Sequence, residues 1–457
     1  MCQCTSGYFL CLYIFLFPLA AVIVLADALT IFCTIWLVFL WFSHRTLFLK
    51  PSISLLSLSL ATLLWPHMLM RETVREYTAF GDETFLYLVA FVLGGLLISN
   101  SLAYLDGSMR RSNLNFQSKP GDPSGLKMAE SVHTYGLILI VLVTVIYLIH
   151  VPPTQTGLYA IFFDPENSGT AREHSLKLLD AVFLKYLYLI TYSLVAPLVF
   201  VIGLNLYFFR KPAHWFLLIA EGILVCLFLM LTGARAGLAY LAIVWLALVI
   251  IRRGLTFKIV EVVLALGFFL AFPAILSQMR EGGGDGGLFT YVGLILDRVF
   301  LLPTIISAWF LEFANTYGFG GWDAVLGRGG QGNLYNEVAL EYTERYEPIR
   351  DNAITAPSAY FIQNLYTFGW LGLIPSWAGL ILMDWPAARI RNLVAPLKAP
   401  FYAMAVFYPL FFLQSGYGVV WVTNGYLFFA MLIIFLANVK AWYRKFVEVW
   451  VEKIKPN

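Results

Sequence analysis

The residues best suited to chemistry in this chain are arginines beside glycines, and the clearest example is Arg235 in the stretch TGARAG at 232–237. Two long apolar runs flank this stretch, so the arginine lies where the chain turns. A planar guanidinium can donate two parallel hydrogen bonds to a phosphate, and glycines allow the tight turn that aims it. The pattern therefore indicates anion binding. The simpler interpretation is an arginine that extends to the membrane interface without a ligand.

Aromatic side chains in the region 309–346 form a second group that could contact a substrate. They alternate with Asn, Asp, Glu and Gln, a mixture typical of sugar sites, because ring faces stack on the C–H face of pyranoses. The group comprises Trp309, Tyr317, Trp322, Tyr335, Tyr342 and Tyr346. The alternative is a small folded cap in which these rings form their own core.

Sequence motifs for several other chemistries are absent. The chain has no Gly-rich phosphate loop, HExxH, CxxC or D-x-D motif, so we predict neither a metal nor a cofactor. His67, His150 and His174 are scattered along the sequence, so we interpret them as histidines at the membrane interface rather than as metal ligands. Glu221 lies inside an apolar run, where an ionisable group indicates either function or a protonated carboxyl bonded to a neighbouring helix.

The elements that must position these residues are membrane helices. Hydrophobic residues make up 60% of the 457 and charged residues 12%, and most of the chain falls into apolar runs near the roughly 20 residues that a crossing helix needs. We predict an all-α, polytopic membrane helix bundle of about 12 spans. The predicted spans are 8–25, 28–43, 50–70, 83–104, 132–151, 178–208, 214–231, 236–252, 257–277, 358–383, 398–416 and 420–438. Only Asp27 interrupts the first two, so one long helix, or a helix plus an interfacial piece, is an alternative there.

The distribution of Lys and Arg predicts which loops face the cytoplasm. The basic C-terminal tail should be cytoplasmic, and alternation from it assigns the loops 43–50, 106–131, 210–213, 252–258 and 384–398 to the same side. Together they hold 19 of the 30 Lys and Arg. Nine of the other eleven are Arg, the residue suited to bidentate phosphate binding. Arg235 and the loops 152–177 and 278–357 are therefore predicted outside.

The long outer loop divides the chain into three parts. These are an N-terminal transmembrane bundle at 1–277, the loop at 278–357 with an amphipathic helix and the candidate active site, and C-terminal helices with the basic tail at 358–457. Thirteen mostly apolar residues lie between Arg298 and Glu312, too few to cross, which favours an interfacial or re-entrant helix. The alternative is a true span, which would put the basic residues at 252–253 and the basic tail on opposite sides. The loop has five Arg and ten acidic residues, so a phosphate site must use selected arginines.

Several stretches together resemble the Wzy-type O-antigen or exopolysaccharide repeat-unit polymerases, which are relatives of the O-antigen ligases. The resemblance covers roughly residues 130–385, and the first hundred residues match only as apolar spans. The stretches that carry it are YAIFFDPENSGTAREHS, LTGARAG, DRVFLLPTIISAWFLEF and RDNAITAPSAYFIQNLYTFGWLG.

The resemblance implies a GT-C type membrane glycosyltransferase that uses undecaprenyl-diphosphate-linked oligosaccharide as both donor and acceptor. It implies that Arg172, Arg235 and Arg298 contact the diphosphate. The secondary and sugar-binding candidates are Arg280, Arg328, Trp309, Trp322 and Asn352. A base must also activate the acceptor hydroxyl, and Glu337 and Glu341 are the candidates, of which Glu337 is assigned the catalytic role. The implied location is the bacterial inner membrane, with the active site facing the periplasm.

Two departures from the family pattern bear on the assignment. Some members place a Gly eleven residues after an Arg, where this chain has Trp309 after Arg298. The ligases carry a functional His in their long outer loop, and 278–357 contains none, which favours a polymerase. A ligase that transfers glycan to a lipid core and a lipid-linked glycan transporter are the alternatives. The implied partners are the lipid-linked glycans, membrane lipids and a chain-length regulator, with no nucleic acid.

Overall fold

In the computed structural model, all the regular secondary structure of the described residues is helical. The described residues are 5–105, 123–164, 168–179, 181–209, 215–233, 236–256, 296–321, 358–415 and 417–439, with isolated positions at 258, 260, 263–264, 267, 292–293, 338 and 341–342. The helices are α1 (Thr5–Ser43), α2 (Pro51–Leu69), α3 (Arg71–Tyr77), α4 (Gly81–Leu105), α5 (Pro123–His150), α6 (Gly157–Phe163), α7 (Ser168–Lys177), α8 (Val182–Phe208), α9 (Trp215–Met230), α10 (Ala236–Arg252), α11 (Leu302–Tyr317), α12 (Tyr360–Phe368), α13 (Leu373–Ala387), α14 (Ala395–Phe407), α15 (Pro409–Phe412), α16 (Tyr417–Val422) and α17 (Tyr426–Val439).

Seven segments of the described chain are long and apolar enough to cross a membrane. They are Val22–Ser43, Pro51–Leu69, Gly81–Leu105, Ser124–His150, Val182–Phe208, Val299–Tyr317 and Tyr360–Asn392. The helices α9, α10 and α17 are apolar but shorter. These lengths indicate a multi-pass membrane protein. The predicted span at 257–277 lies outside the described residues, apart from isolated positions.

The apolar stretch at the N-terminus forms one helix rather than two. Helix α1 continues unbroken through Asp27 for 39 residues, a length of about 58 Å and nearly twice the hydrocarbon thickness. Asp27 is tolerated within the helix because Arg71 pairs with it, at 2.5 Å between Nη2 and Oδ1. The prediction of two spans, 8–25 and 28–43, is therefore wrong, and the single-helix alternative is confirmed.

Helix α11 is buried in the bundle and does not lie at its interface. Ten of its residues between Thr304 and Ala314 are buried, on every side of the helix. It packs against α4, α12 and the π-helical turn Leu60–Leu64 in the middle of α2. In the sequence, the charged residue Glu312 marks the end of the apolar segment. In the structure, the Thr78 hydroxyl donates to the Glu312 carboxylate at 2.7 Å, and the helix continues to Tyr317. The interfacial prediction is wrong. The packing agrees with a helix inserted into the bundle, either re-entrant or spanning, because the segment Val299–Tyr317 is long and apolar enough to cross.

The predicted span at 358–383 is a helical hairpin. The hydroxyl of Tyr360 donates to the Ser376 carbonyl at 2.7 Å, and Asn364 Nδ2 donates to Ser376 Oγ at 3.0 Å. In one continuous helix, Tyr360 and Ser376 would lie about 24 Å apart, so the chain reverses at the 3₁₀ turn Gly369–Gly372. Helix α12 begins beside Phe91, well inside α4, where Phe361 stacks on that ring at 4.1 Å.

Polar contacts define two ends of the bundle. At one end, the backbone N–H and hydroxyl of Ser52 both donate to Asp384, at 2.9 and 2.6 Å. The guanidinium of Arg252 donates to Asn205 at this same end. These residues border the loops that the charge pattern assigns to the cytoplasm. The opposite end contains the tip of the α12–α13 hairpin, where Trp370 Nε1 lies 3.4 Å from Glu83.

Candidate functional site

The loop that follows α5 docks on the turn between α9 and α10. The backbone N–H of Leu158 donates to the Leu231 carbonyl at 3.2 Å. Thr156 caps the N-terminus of α6 by accepting from the Tyr159 N–H, also at 3.2 Å, which fixes the direction in which α6 leaves the contact. The segment that leads to Arg172 and the turn that contains Arg235 therefore touch.

Two glycines make this docking possible. A Cβ on Gly157 would overlap the backbone of Thr232 and Gly233, where no side-chain movement could relieve the contact. Gly233 has φ +74°, in the left-handed region that side chains disfavour, and a Cβ on it would lie 3.1 Å from the Gly157 Cα. The glycine before Arg235 is thus explained by a turn and a backbone contact. The alanine and arginine that follow it lie outside the described residues.

The structure places the three sequence-predicted arginines in two regions. Arg172 belongs to α7, and Arg298 belongs to the π-helical turn Asp297–Leu301 that precedes α11; neither side chain is within the described part. The turn with Arg298 packs against the middle of α2, in the larger of two hydrophobic cores. The loop and turn that carry Arg172 and Arg235 border the smaller core. Among the described contacts, the segment leading to Arg172 touches the turn with Arg235, whereas the turn with Arg298 packs in the other core.

Most of the other candidate residues lie outside the described part of the chain. They are Arg280, Trp322, Arg328, Glu337 and Asn352. The second candidate base, Glu341, is described, and it lies next to Tyr342, which packs into the larger core. The long loop therefore enters the bundle near α11.

Trp309 does not have the exposed ring expected of a sugar-stacking residue. Its exposed fraction is 0%, and its ring stacks on Tyr342 with centroids 6.0 Å apart. It faces inwards because α11 is inserted in the bundle, a placement that the sequence alone did not reveal. Tyr317 at the end of the same helix is 57% exposed, and its ring packs on Phe313 with centroids 4.6 Å apart.

A network of ion pairs, at the bundle end that contains the tip of the α12–α13 hairpin, ties α1, α3 and α4 together. Arg71 pairs with Asp27, and Arg75 pairs with Asp82 and Glu72, both at 2.8 Å. The hydrogen bond to Asp82 is the main cause that raises the pKa of Arg75 above its usual value. Carboxylates already pair with both guanidinium groups, so the network indicates structure rather than a free anion site.

An intramembrane hydrogen-bonded pair lies at the other end of the bundle, and the sequence had identified only one of its two members. Glu221 is bonded by His133, whose Nε2 lies 2.6 Å from Oε1. The sequence singled out Glu221 by its apolar surroundings. It gave no signal for His133, because that residue lies near the polar start of α5, 88 positions away.

We expect Gly157→Ala to lower the thermal stability of the purified protein. Forcing one methyl against a fixed backbone costs about 1–3 kcal/mol, and the docked loop must shift to admit it. Gly222→Ala is the matched control, because the nearest atom to its Cβ would be Phe200 Cε2 at 4.0 Å. Thermal unfolding in detergent measures both variants. Equal midpoints would contradict the docking.

Comparison with protein-family models, with characterised proteins and with solved structures found no match to this chain.

Proposed function

We propose that this chain is a membrane glycosyltransferase that polymerises undecaprenyl-diphosphate-linked oligosaccharide repeat units into O-antigen or a related surface polysaccharide. The observation that carries the proposal is the contact between the loop leading to Arg172 and the turn containing Arg235. In a polymerase of this type, arginines from separate outer loops must reach one diphosphate, and this contact brings together the segments that carry two of them. Three independent interfacial arginines would need no such contact.

The proposed reaction needs charge stabilisation at the membrane surface. The acceptor hydroxyl oxygen attacks the anomeric carbon of the donor, the bond to the phosphate oxygen breaks, and its electron pair leaves with the lipid diphosphate. Guanidinium groups that face the leaving group stabilise the charge that develops on it. The proton of the acceptor hydroxyl passes to a carboxylate, for which Glu337 and Glu341 remain the candidates.

The proposal includes an orientation. We propose a GT-C type bundle of about 12 membrane segments in the bacterial inner membrane, with both loops and the turn on the periplasmic side. Because α1 is one helix and the loop 43–50 is proposed to be cytoplasmic, the N-terminus lies on the periplasmic side in this proposal. Two spans would have put it in the cytoplasm. The charge pattern of the loops after α1 supports this orientation. The contact between Ser52 and Asp384 brings together the ends of two helices that adjoin the basic loops 43–50 and 384–398.

Thiol labelling tests the orientation. In a variant without its native cysteines, we expect Ala234→Cys and Gly330→Cys to react with a membrane-impermeant maleimide in intact cells. Ala388→Cys, exposed at the predicted cytoplasmic end, should react only after permeabilisation. Labelling of Ala234→Cys and Gly330→Cys from opposite sides would discard the shared site.

A deletion strain tests the function. Mass spectrometry of its lipid-linked glycans should reveal single repeat units, because repeats would be made and not joined. Accumulation of finished chains on the lipid would instead identify a ligase. Lipid-linked glycans retained on the cytoplasmic side would identify a transporter.

A further inference from the structure

A groove of about 810 Å³ opens between α5, α8 and α9, at the end of the bundle opposite the proposed site. Its volume falls in the range of about 300–1,000 Å³ that small-molecule sites occupy. One part of the wall is polar and holds Glu130, His133, Thr134, Tyr207 and Glu221. The rest is hydrocarbon, and it includes the exposed side chains Ile138, Val141, Leu142, Val145 and Leu217.

The polar part is organised by the His133–Glu221 pair. Their side chains are only 15% and 11% exposed, and His133 Nε2 lies 2.6 Å from Glu221 Oε1. Gly203 on α8 permits this approach, because a Cβ there would overlap the Glu221 carboxylate. Three helices thus combine to hold the carboxylate at the wall of an apolar groove.

Within the described part of the chain, the pair leaves hydrogen-bonding capacity unused. Glu221 Oε2 and His133 Nδ1 make no hydrogen bond to any described residue. A carboxylate beside hydrocarbon is costly unless a cation or donors compensate it. None of the lining residues in the described part is Lys or Arg. The groove therefore complements a ligand that brings its own positive charge and N–H donors.

The order of polar and apolar residues matches that of a lipid in one leaflet. On α5, Glu130, His133 and Thr134 precede the apolar residues from Leu137 to Val145. The polar part lies toward the bundle end bordered by the basic loops. A head group would lie at this level, and a hydrocarbon chain would follow α5 toward the membrane centre.

We propose that this groove is a binding site for a glycerolipid whose head group carries a primary ammonium. The ammonium donates to Glu221 Oε2 and compensates its charge, while an acyl chain covers the exposed leucine, isoleucine and valine side chains. The site does not depend on the proposed glycosyltransferase function.

Lipid retention measured by native mass spectrometry tests the proposal. The full-length protein is purified in detergent and equilibrated with equal amounts of phosphatidylethanolamine, phosphatidylcholine and phosphatidylglycerol of the same acyl chains. We expect phosphatidylethanolamine to be retained about tenfold over the others, because charge-assisted hydrogen bonds need its N–H donors. Phosphatidylcholine has the positive charge without N–H donors, and phosphatidylglycerol has neither a positive charge nor N–H donors. Equal retention of all three would overturn the proposal.

Variants then locate the site. Glu221→Gln should abolish the preference for phosphatidylethanolamine, and Val141→Trp should fill the groove and reduce retention of all three lipids. Glu72→Gln is the matched control, since it removes a carboxylate whose side chain is 84% exposed at the other end of the bundle. A preference that survives Glu221→Gln, or one that Glu72→Gln abolishes equally, would place lipid recognition elsewhere. Thermal unfolding of each variant confirms that the compared proteins are folded.

Discussion

Alanine at Arg172, Arg235 or Arg298 is expected to lower the rate of chain extension roughly a hundredfold or more. Removing one preorganised donor to a developing anion costs about 2–4 kcal/mol of transition-state stabilisation. Arg→Lys should rescue poorly at each position, because an ammonium does not reproduce the bidentate guanidinium fork. The chain-length distribution of the polysaccharide, measured on gels at matched expression, reports the effect.

Arg75→Ala is the control for this series. Arg75 is also predicted to lie on the outer side, but Asp82 and Glu72 already pair with it. Its removal should leave the polymer length unchanged. Wild-type polymer from all three Lys variants would contradict the diphosphate role and return Arg235 to the status of a membrane anchor.

The contact between the Arg172 loop and the Arg235 turn makes the prediction sharper. Two arginines on one diphosphate form a coupled unit, so the double Ala variant should lose less activity than the two single losses combined. Arg298 lies in a segment that packs on the other core. Additive losses for the Arg172 and Arg235 variants would indicate that they do not share a ligand.

Trp309→Ala is expected to lower the free energy of unfolding by about 3–5 kcal/mol, the range for truncating a large buried aromatic residue. The ring is fully buried and stacks on Tyr342. Its Nε1 has no hydrogen-bond partner among the described residues, so Trp309→Phe sacrifices packing but no such bond. We therefore expect Trp309→Phe to retain most of the stability and activity. Thermal unfolding and polymer length are measured together.

Trp370→Ala is the matched control, because this tryptophan is 45% exposed and truncation should cost little stability. A stable Trp309→Ala protein with lost activity would restore Trp309 as a sugar contact. A strongly destabilised Trp370→Ala would show that burial does not decide the cost here.

Composition and charge predicted the helical class and most helix positions, because runs of apolar residues need no knowledge of tertiary structure. The failures come from contacts between distant residues. The sequence indicates a helix break at Asp27, but Arg71 pairs with it and the helix continues. The sequence likewise indicates a helix boundary at Glu312, but Thr78 donates a hydrogen bond to it. Tyr360 and Ser376 read as one span until their hydrogen bond reveals a hairpin.

The candidate site was predictable in part. The TGARAG turn indicated a tight backbone, and Gly233 does adopt the left-handed conformation. The partner of this turn, Gly157, gave no local signal, since its need for a missing side chain arises only from the docked backbone of Thr232. Trp309 was assigned from residue type alone, and burial depends on the insertion of α11, which residue type does not encode.

The most direct test of the central claim is extension of lipid-linked repeats by the purified protein. Single repeat units extracted from the deletion strain are incubated with the protein in liposomes, in the presence of a metal chelator, and the products are resolved by gel and mass spectrometry. We predict a ladder of longer glycans still attached to the lipid diphosphate, with release of one free lipid diphosphate for each repeat added. Unchanged single repeats, or activity lost to the chelator and restored by magnesium or manganese, would contradict the account.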